Sequence, residues 1–225
     1  MLVVCPLEFE RSALAAAARR RGWRLERAGL GRGAVESWAA GARAEPGETV
    51  VLAGIAGGLD PRMPVGTAAW ASWIDDGAGG RWEPPLQPPG PAVGLVTADA
   101  VAATPQEKQL WRVRTGAALV DMEAAAFAAA AQRRGWRWAV VRGVSDGSDD
   151  ALDPAIAAWT GRDGRVRPGA VAAGLLRSPG LVPQALRLAR RGAEAMRAVE
   201  SLLISLDEAT RGGAGATMPT LEPRT

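Results

Sequence analysis

The sequence predicts an α/β protein, a three-layer α/β/α domain around a mixed, largely parallel central sheet with helices added at the C-terminus. Three observations predict it. The apolar runs "LVVC" (2–5), "TVVLAGI" (49–55), "AVGLVT" (92–97) and "WAVVRGV" (138–144) are of strand length, and segments of helical spacing stand between them. Strands alternating with helices at this spacing favour a largely parallel sheet. The chain has 225 residues, 48% of them hydrophobic, enough to bury one sizeable core.

Taken in order, Leu2 to Cys5 reads as a short buried strand, and Glu8 to Arg21 follows with Leu14 and Ala17 or Ala18 on one helical face. Trp23 to Ala28 alternates as a second strand and stops at the glycine turn "GLGRG". Ala34 to Ala44 is a helix ended by "EPGE". The strand 49–55 runs into "AGGLDPRMPVG", a loop by its glycine and proline content, and 75–91 is a long Gly/Pro connection. After the strand 92–97 come a helix over Lys108 to Arg114, a stronger one over Val120 to Arg134, and the strand 138–144. From Pro168 two proline-punctuated helical segments follow, 169–177 and an amphipathic 181–203. Residues 1–204 are expected to form a single domain, with 168–204 supplying its C-terminal helices. Residues 205–225 are expected to be a disordered tail, since 211–225 lacks any periodicity.

Composition removes several classes of function. No apolar run approaches the ~20 residues of a membrane span. The N-terminus has no basic region followed by an apolar stretch, so a secretory signal is not expected and the cytoplasm is the default location. One cysteine, Cys5, excludes an intramolecular disulfide, and no Cys/His set exists for zinc. The net charge of +3 comes almost wholly from arginines interleaved with acids along helices, which reads as a solvated surface before it reads as a nucleic-acid face. There is no histidine and no tyrosine. Acid–base chemistry near neutral pH therefore falls to carboxylates tuned by burial, with Cys5 and Lys108 the other titratable candidates.

In open α/β sheets ligands gather where strands run into helices. The loops after the strands would bring Glu8, Glu10, Asp99 and Asp146 to one rim, and the start of the 120–134 helix would add Asp121 and Glu123. Each has an ordinary alternative. Acids in a first helical turn answer the helix dipole, and Asp146 in "SDGSDD" suits a turn. Spacing alone does not choose between these readings.

The motifs do more. "VDMEAAAF" followed some twenty residues later by "VVRGVSDGSD", with "AGIAGGLDPRMPVG" and "CPLEFERSAL" before them, resembles the purine nucleoside phosphorylase and methylthioadenosine/S-adenosylhomocysteine nucleosidase superfamily over residues 1 to about 150. Within it, "RGWRLERAGLGRG", "ATPQEKQLWRVRTGAALVDME" and the tail "DGRVRPGAVAAGLLRSPGLVPQALRLARRGAEAM" are most similar to the hopanoid-associated phosphorylase branch.

The resemblance implies cleavage of the N-glycosidic bond of a purine nucleoside, with adenine the expected base. It gives Asp146 the N7 side of the purine, with Ser145 orienting it. An aspartate there would need burial or a neighbouring carboxylate to hold a proton. Glu123 would grip the ribose hydroxyls, Met122 would pack under the ribose, and Val101 and Ala102 would meet the base. Glu10 would activate water. Ile55 and Gly57 fall in the glycine-rich ribose-side loop. Ile55 stands where many members have serine, and Leu52 where phosphorylases have arginine. Arg11 and Arg32 are the remaining candidates for phosphate, so water is favoured over phosphate as nucleophile. No cofactor or metal is implied, apart from inorganic phosphate as co-substrate in the phosphorolytic alternative.

The branch further implies a large apolar 5′-group such as a hopane, for which Trp70, Trp73 and Trp82 are groove candidates that fit a core equally well. The alternatives are a methylthioadenosine- or futalosine-type nucleosidase and, in a different class, a nucleoside-binding protein without catalysis. A homo-oligomer is implied, with peripheral membrane contact if the nucleoside is a lipid, and no nucleic-acid partner.

Overall fold

A computed structural model of the chain describes residues 1–213. It contains strands β1 (Leu2–Cys5), β2 (Arg24–Arg27), β3 (Thr49–Gly58), β4 (Ala68–Asp75), β5 (Arg81–Trp82), β6 (Ala92–Thr97), β7 (Leu119–Asp121) and β8 (Arg137–Asp146). The helices are α1 (Glu8–Arg21), α2 (Arg32–Gly41), α3 (Pro105–Thr115), α4 (Ala124–Arg133), the short α5 (Pro154–Ala157), α6 (Pro168–Arg177) and the long α7 (Val182–Gly213).

The sheet is mixed, as its predicted class requires. β1 lies parallel between β2 and β3, and β3–β8, β4–β6 and β6–β7 are also parallel. The β3–β7, β4–β8 and β4–β5 pairs are antiparallel. Because β8 pairs with both β3 and β4, the strands β3, β8, β4, β6 and β7 close into a ring of pairings. One face of the sheet is covered by α2 and α4, where Phe127 lies 6.1–6.4 Å, ring centre to ring centre, from Trp38, Trp136 and Trp138. Seven residues of α4 are buried, six of them alanines, which keep helix propensity high while adding little bulk against the sheet. The other face is covered by α1 through Leu14, Ala17 and Ala18 and by α7 through Met196, Val199, Leu203 and Leu206. Their spacing of three and four is that of one helical stripe.

Several sequence expectations change. Residues 68–75, not assigned to any element, form β4, and Trp70 and Trp73 point into its packing. Trp70 belongs to the core under α7, and Arg81 stacks 3.9 Å above the Trp73 ring. The run from Val120 to Arg134 is not one helix. Asp121 accepts from the Ala124 amide and the Thr97 hydroxyl, so residues 119–121 pair with β6 and β3 and the helix begins only at Ala124. Residues 56–58 continue β3 instead of opening a loop. The tail expected from 205 onward is helical to Gly213. Leu206 extends the buried stripe, and Asp207 and Glu208 pair with Arg21 of α1. The rest of that expected tail, 214–225, lies outside the described residues.

Truncating Phe127 to alanine removes the centre of the aromatic cluster without touching any polar group. Chemical denaturation of the Phe127→Ala variant should show a loss of about 3–5 kcal/mol. A loss below about 1 kcal/mol would mean that α4 does not depend on this packing.

Candidate active site

The carboxyl ends of β1, β3, β7 and β8 open onto one cleft, lined by Glu10, Ile55, Gly57, Val101, Ala102, Met122, Glu123 and Asp146 together with apolar walls from Pro6, Leu7, Leu30 and Leu152. Eight sequence-derived candidates thus share one space, although five separate stretches of chain supply them.

Glu10 arrives on the first turn of α1. Its Oε2 accepts from the Leu7 amide at 2.7 Å, which satisfies the N-cap N–H from inside the first turn, and its Oε1 accepts from the Ile55 amide at 2.8 Å. The helix-stabilising reading and the site reading therefore apply to the same carboxylate. It is only 1% exposed, and burial pushes it up to about 8 against the pull of Arg142 and the two amides. Glycine at position 54 is what admits it, for a Cβ there would lie 2.6 Å from both Glu10 Oε1 and Arg142 Nη1.

Glu123 sits between β7 and α4 as the residue before the helix, not in its first turn. Its Oε1 accepts from the Gly31 amide at 2.8 Å, and burial beside Asp121 raises it to about 7. Asp121 is spent structurally on Thr97, Ala124 and the Arg142 Nε, the last at 3.0 Å. Arg142, fully buried behind the cleft, was not a sequence candidate. The signal for it was a charge inside the buried run "WAVVRGV". Its Nη2 reaches Glu123 Oε2 at 3.4 Å, while Nη1 has no partner among the described residues.

Asp146 ends β8 and is not in the loop beyond it. Val144 pairs with Ala56 and Asp146 with Gly57, so Ser145 is the extra residue of a bulge. A bulge re-aims the side chains next to it, and here the Ser145 hydroxyl donates to Asp146 Oδ1 at 2.6 Å. The neighbour on the other oxygen is no carboxylate. Lys108 of α3, likewise missed as a site residue, donates to Oδ2 at 2.6 Å and is wholly buried.

Other candidates are not brought in. Glu8 pairs on the surface of α1 with Arg11 and Arg27. Arg32 is held by Asp99 and by the Asp76 and Thr97 carbonyls. Neither Arg11 nor Arg32 lines the cleft, so both phosphate candidates are answered by protein acceptors. Trp70, Trp73 and Trp82 do not line it either. Cys5 is buried with its thiol pushed well above its ordinary value by desolvation, which keeps it a neutral core side chain. Among the described residues no group of three or more His, Cys, Asp or Glu could hold a metal, and no helix is long and apolar enough to cross a membrane.

Four buried carboxylates, Glu10, Asp121, Glu123 and Asp146, therefore face two buried cations, Arg142 and Lys108. Such a cleft can accept hydrogen bonds from hydroxyls, deprotonate a bound water and stabilise positive charge.

Residues 93–177 match the family model of the phosphorylase superfamily. The matched segment carries Lys108, Met122, Glu123, Ser145 and Asp146. Among solved structures, the S-adenosylhomocysteine nucleosidase of Streptococcus pyogenes superposes with a TM-score of 0.64 at 15% identity, covering 92% of this chain and 95% of that one. The futalosine hydrolase of Helicobacter pylori gives 0.62 at 10% identity over 92% and 97%. The 5′-methylthioadenosine/S-adenosylhomocysteine nucleosidase of S. pneumoniae gives 0.62 at 13% identity over 93% and 98%. At these identities the likeness establishes the α/β fold. Comparison of the sequence with curated proteins returned no match. Over residues 93–177 the superfamily resemblance read from the sequence is borne out, while the hopanoid-associated branch is not distinguished.

Glu10 makes stability depend on pH in a definite direction. Its folded value of about 8 lies above the ordinary 4.5, so its contribution is fully present below about pH 4.5 and is lost as pH rises through about 8. Glu10→Gln does not titrate. Its stability relative to wild type, whatever constant offset the lost hydrogen bond brings, should climb between those pH values by an amount on the order of a few kcal/mol. Urea melts at several pH values read this directly, and a pH-independent gap would show that the carboxyl is not raised.

Proposed function

We propose that the chain, with its 93–177 segment in the phosphorylase superfamily, is an N-glycosidase that releases the base, adenine by the resemblance, from a 5′-substituted purine nucleoside by attack of water. The observation that carries this reading is the excess of buried carboxylate around an apolar cleft. Breaking the C1′–N9 bond sends its electron pair to the purine and leaves positive charge on the sugar, which such a site favours in the transition state.

In this reading Glu123 accepts hydrogen bonds from the ribose hydroxyls and Met122 packs beneath the ring. Val101 and Ala102 meet the base. Asp146 accepts a hydrogen bond from the purine once N7 has taken up a proton from solvent, and the hydroxide equivalent this leaves is neutralised when Glu10 returns to solvent the proton it takes from the attacking water. Both its oxygens already accept, from Lys108 and Ser145, so acceptance is the role its surroundings suit. Water forms the new bond to C1′ and its proton goes to Glu10. Ile55 contributes its amide to Glu10, and a backbone group is indifferent to the loss of a serine side chain at that position. This favours catalysis over mere nucleoside binding.

Water is preferred to phosphate because a dianion entering this cleft would meet carboxylates. Lys108 spends all three N–H groups on protein acceptors, and Arg11 and Arg32 are engaged elsewhere. The apolar walls Pro6, Leu7, Leu30 and Leu152 favour an apolar 5′-group. A hopane-like group is the extreme the branch resemblance suggests, and methylthio and futalosine-type groups are the smaller alternatives. No cofactor enters the scheme.

Adenine release from a 5′-alkylated adenosine, followed with and without phosphate, tests the reading. Release at equal rates in both buffers is expected, with Asp146→Asn lower in kcat/KM by about 10²–10³-fold. A strict requirement for phosphate would make the reaction phosphorolytic, and no release from any such nucleoside would favour a binding protein.

A second expectation follows from Glu10. It must be ionised to take a proton, so kcat/KM of the free enzyme should rise with pH and level off above about 8. A profile already flat from pH 5 upward would remove Glu10 from the role of base.

A further inference from the structure

Lys108 is the only lysine of the chain, every other side-chain cation being arginine. It is also the only buried residue of α3, whose Leu110 and Val113 stand 67% and 78% exposed. Apart from the half-buried Trp111, the helix is docked through a lysine while Leu110 and Val113 stand in solvent, which inverts the usual arrangement. Burying an ammonium is expensive unless every proton is answered. Here all three are. Nζ donates to Asp146 Oδ2 and to the Gly147 carbonyl, both at 2.6 Å, and to the Asp150 carbonyl at 3.0 Å.

The turn it grips is tied down from other sides. The Gly147 amide donates to Asp150 Oδ2 at 2.8 Å, and Arg191 of α7 donates to the same oxygen at 2.8 Å. Ser145 holds Oδ1, and a Cβ on residue 57 would come within 3.3 Å of Oδ2. Three acceptors around one nitrogen suit a compact ammonium, whereas a guanidinium presents its donors in a planar fork.

We infer that Lys108 is the positioning residue of the base side of the cleft: its ammonium fixes the Asp146 carboxylate and the turn 147–150 in one geometry, so that the free lone pairs of Asp146 are aimed at the purine. The inference rests on the nucleosidase reading for what Asp146 meets. Its competitor is that Lys108 only anchors α3. The two differ in whether the effect of Lys108 passes through Asp146.

A double-mutant cycle over Lys108→Met and Asp146→Asn separates them, read as kcat/KM for adenine release and, independently of turnover, as the Kd of free adenine by calorimetry. If Lys108 acts through Asp146, Lys108→Met costs about 10²-fold in kcat/KM alone and less than about threefold in the Asp146→Asn background. Adenine affinity should show the same non-additivity. Equal losses in both backgrounds would overturn the inference and leave Lys108 as an anchor. Should Lys108→Met fail to fold, Lys108→Gln, which retains a donor, goes through the same cycle with the same criteria. A wild-type protein that neither releases nor binds adenine overturns the nucleosidase reading and the inference together. Wild-type turnover with an additive cycle overturns the inference alone.

Discussion

A guanidinium buried in the middle of a strand is the constraint from which the rest of this structure follows. Arg142 is carried by β8 into a region where every neighbouring residue of the strand is buried, and its charge has to be answered there. Asp121 answers it first and, with the same two oxygens, ends β7, starts α4 and bonds Thr97 of β6. Glu123, two residues on, is thereby placed against the same guanidinium, and Gly54 leaves the space through which Glu10 approaches from α1. One buried cation thus aligns β6, β7, β8, α1 and α4 around a single point.

The charges around that point do not balance, and the imbalance is where stability and chemistry compete. One guanidinium faces three carboxylates, and burial raises two of them, Glu10 to about 8 and Glu123 to about 7. Ionised, they strain the folded state; protonated, they are quiet. The same tension is what a site needs if it is to deprotonate water and shelter a cationic sugar near neutral pH. Around Asp146 the balance is struck differently. There Lys108 meets Asp146 one to one, with every proton of the ammonium placed, which suits a fixed hydrogen-bond acceptor more than a shifting proton.

Much of this was legible along the chain. β1, α1, β6 and the two C-terminal helices announce themselves by period and punctuation, and α1 begins and ends at the expected residues. Glu10, Met122, Glu123 and Asp146 were identifiable as a set because motif and order agreed with a known superfamily. The misreadings share a cause. The run from Val120 to Arg134 looks helical throughout because alanine dominates it, and the local pattern holds no trace of a strand partner and a guanidinium capturing Asp121. β4 gives no signal along the chain because a strand largely buried on both faces shows no alternation. Arg11 and Arg32 looked available because a sequence does not display the acids that fold over them.

The sequence by itself determined the α/β class, the confinement of near-neutral acid–base chemistry to carboxylates, and the residues able to carry it. Composition and period suffice for these because they depend on residue type and on neighbours a few positions away. Only the tertiary structure decided which acids share a cleft, which are spent on helix caps and surface arginines, and that Asp146 faces a lysine where a carboxylate was looked for. Those outcomes depend on contacts such as Lys108 with Asp146 or Glu10 with Ile55, which join residues dozens of positions apart. Protonation and orientation are set by what lies across such a contact, and no local pattern carries that information.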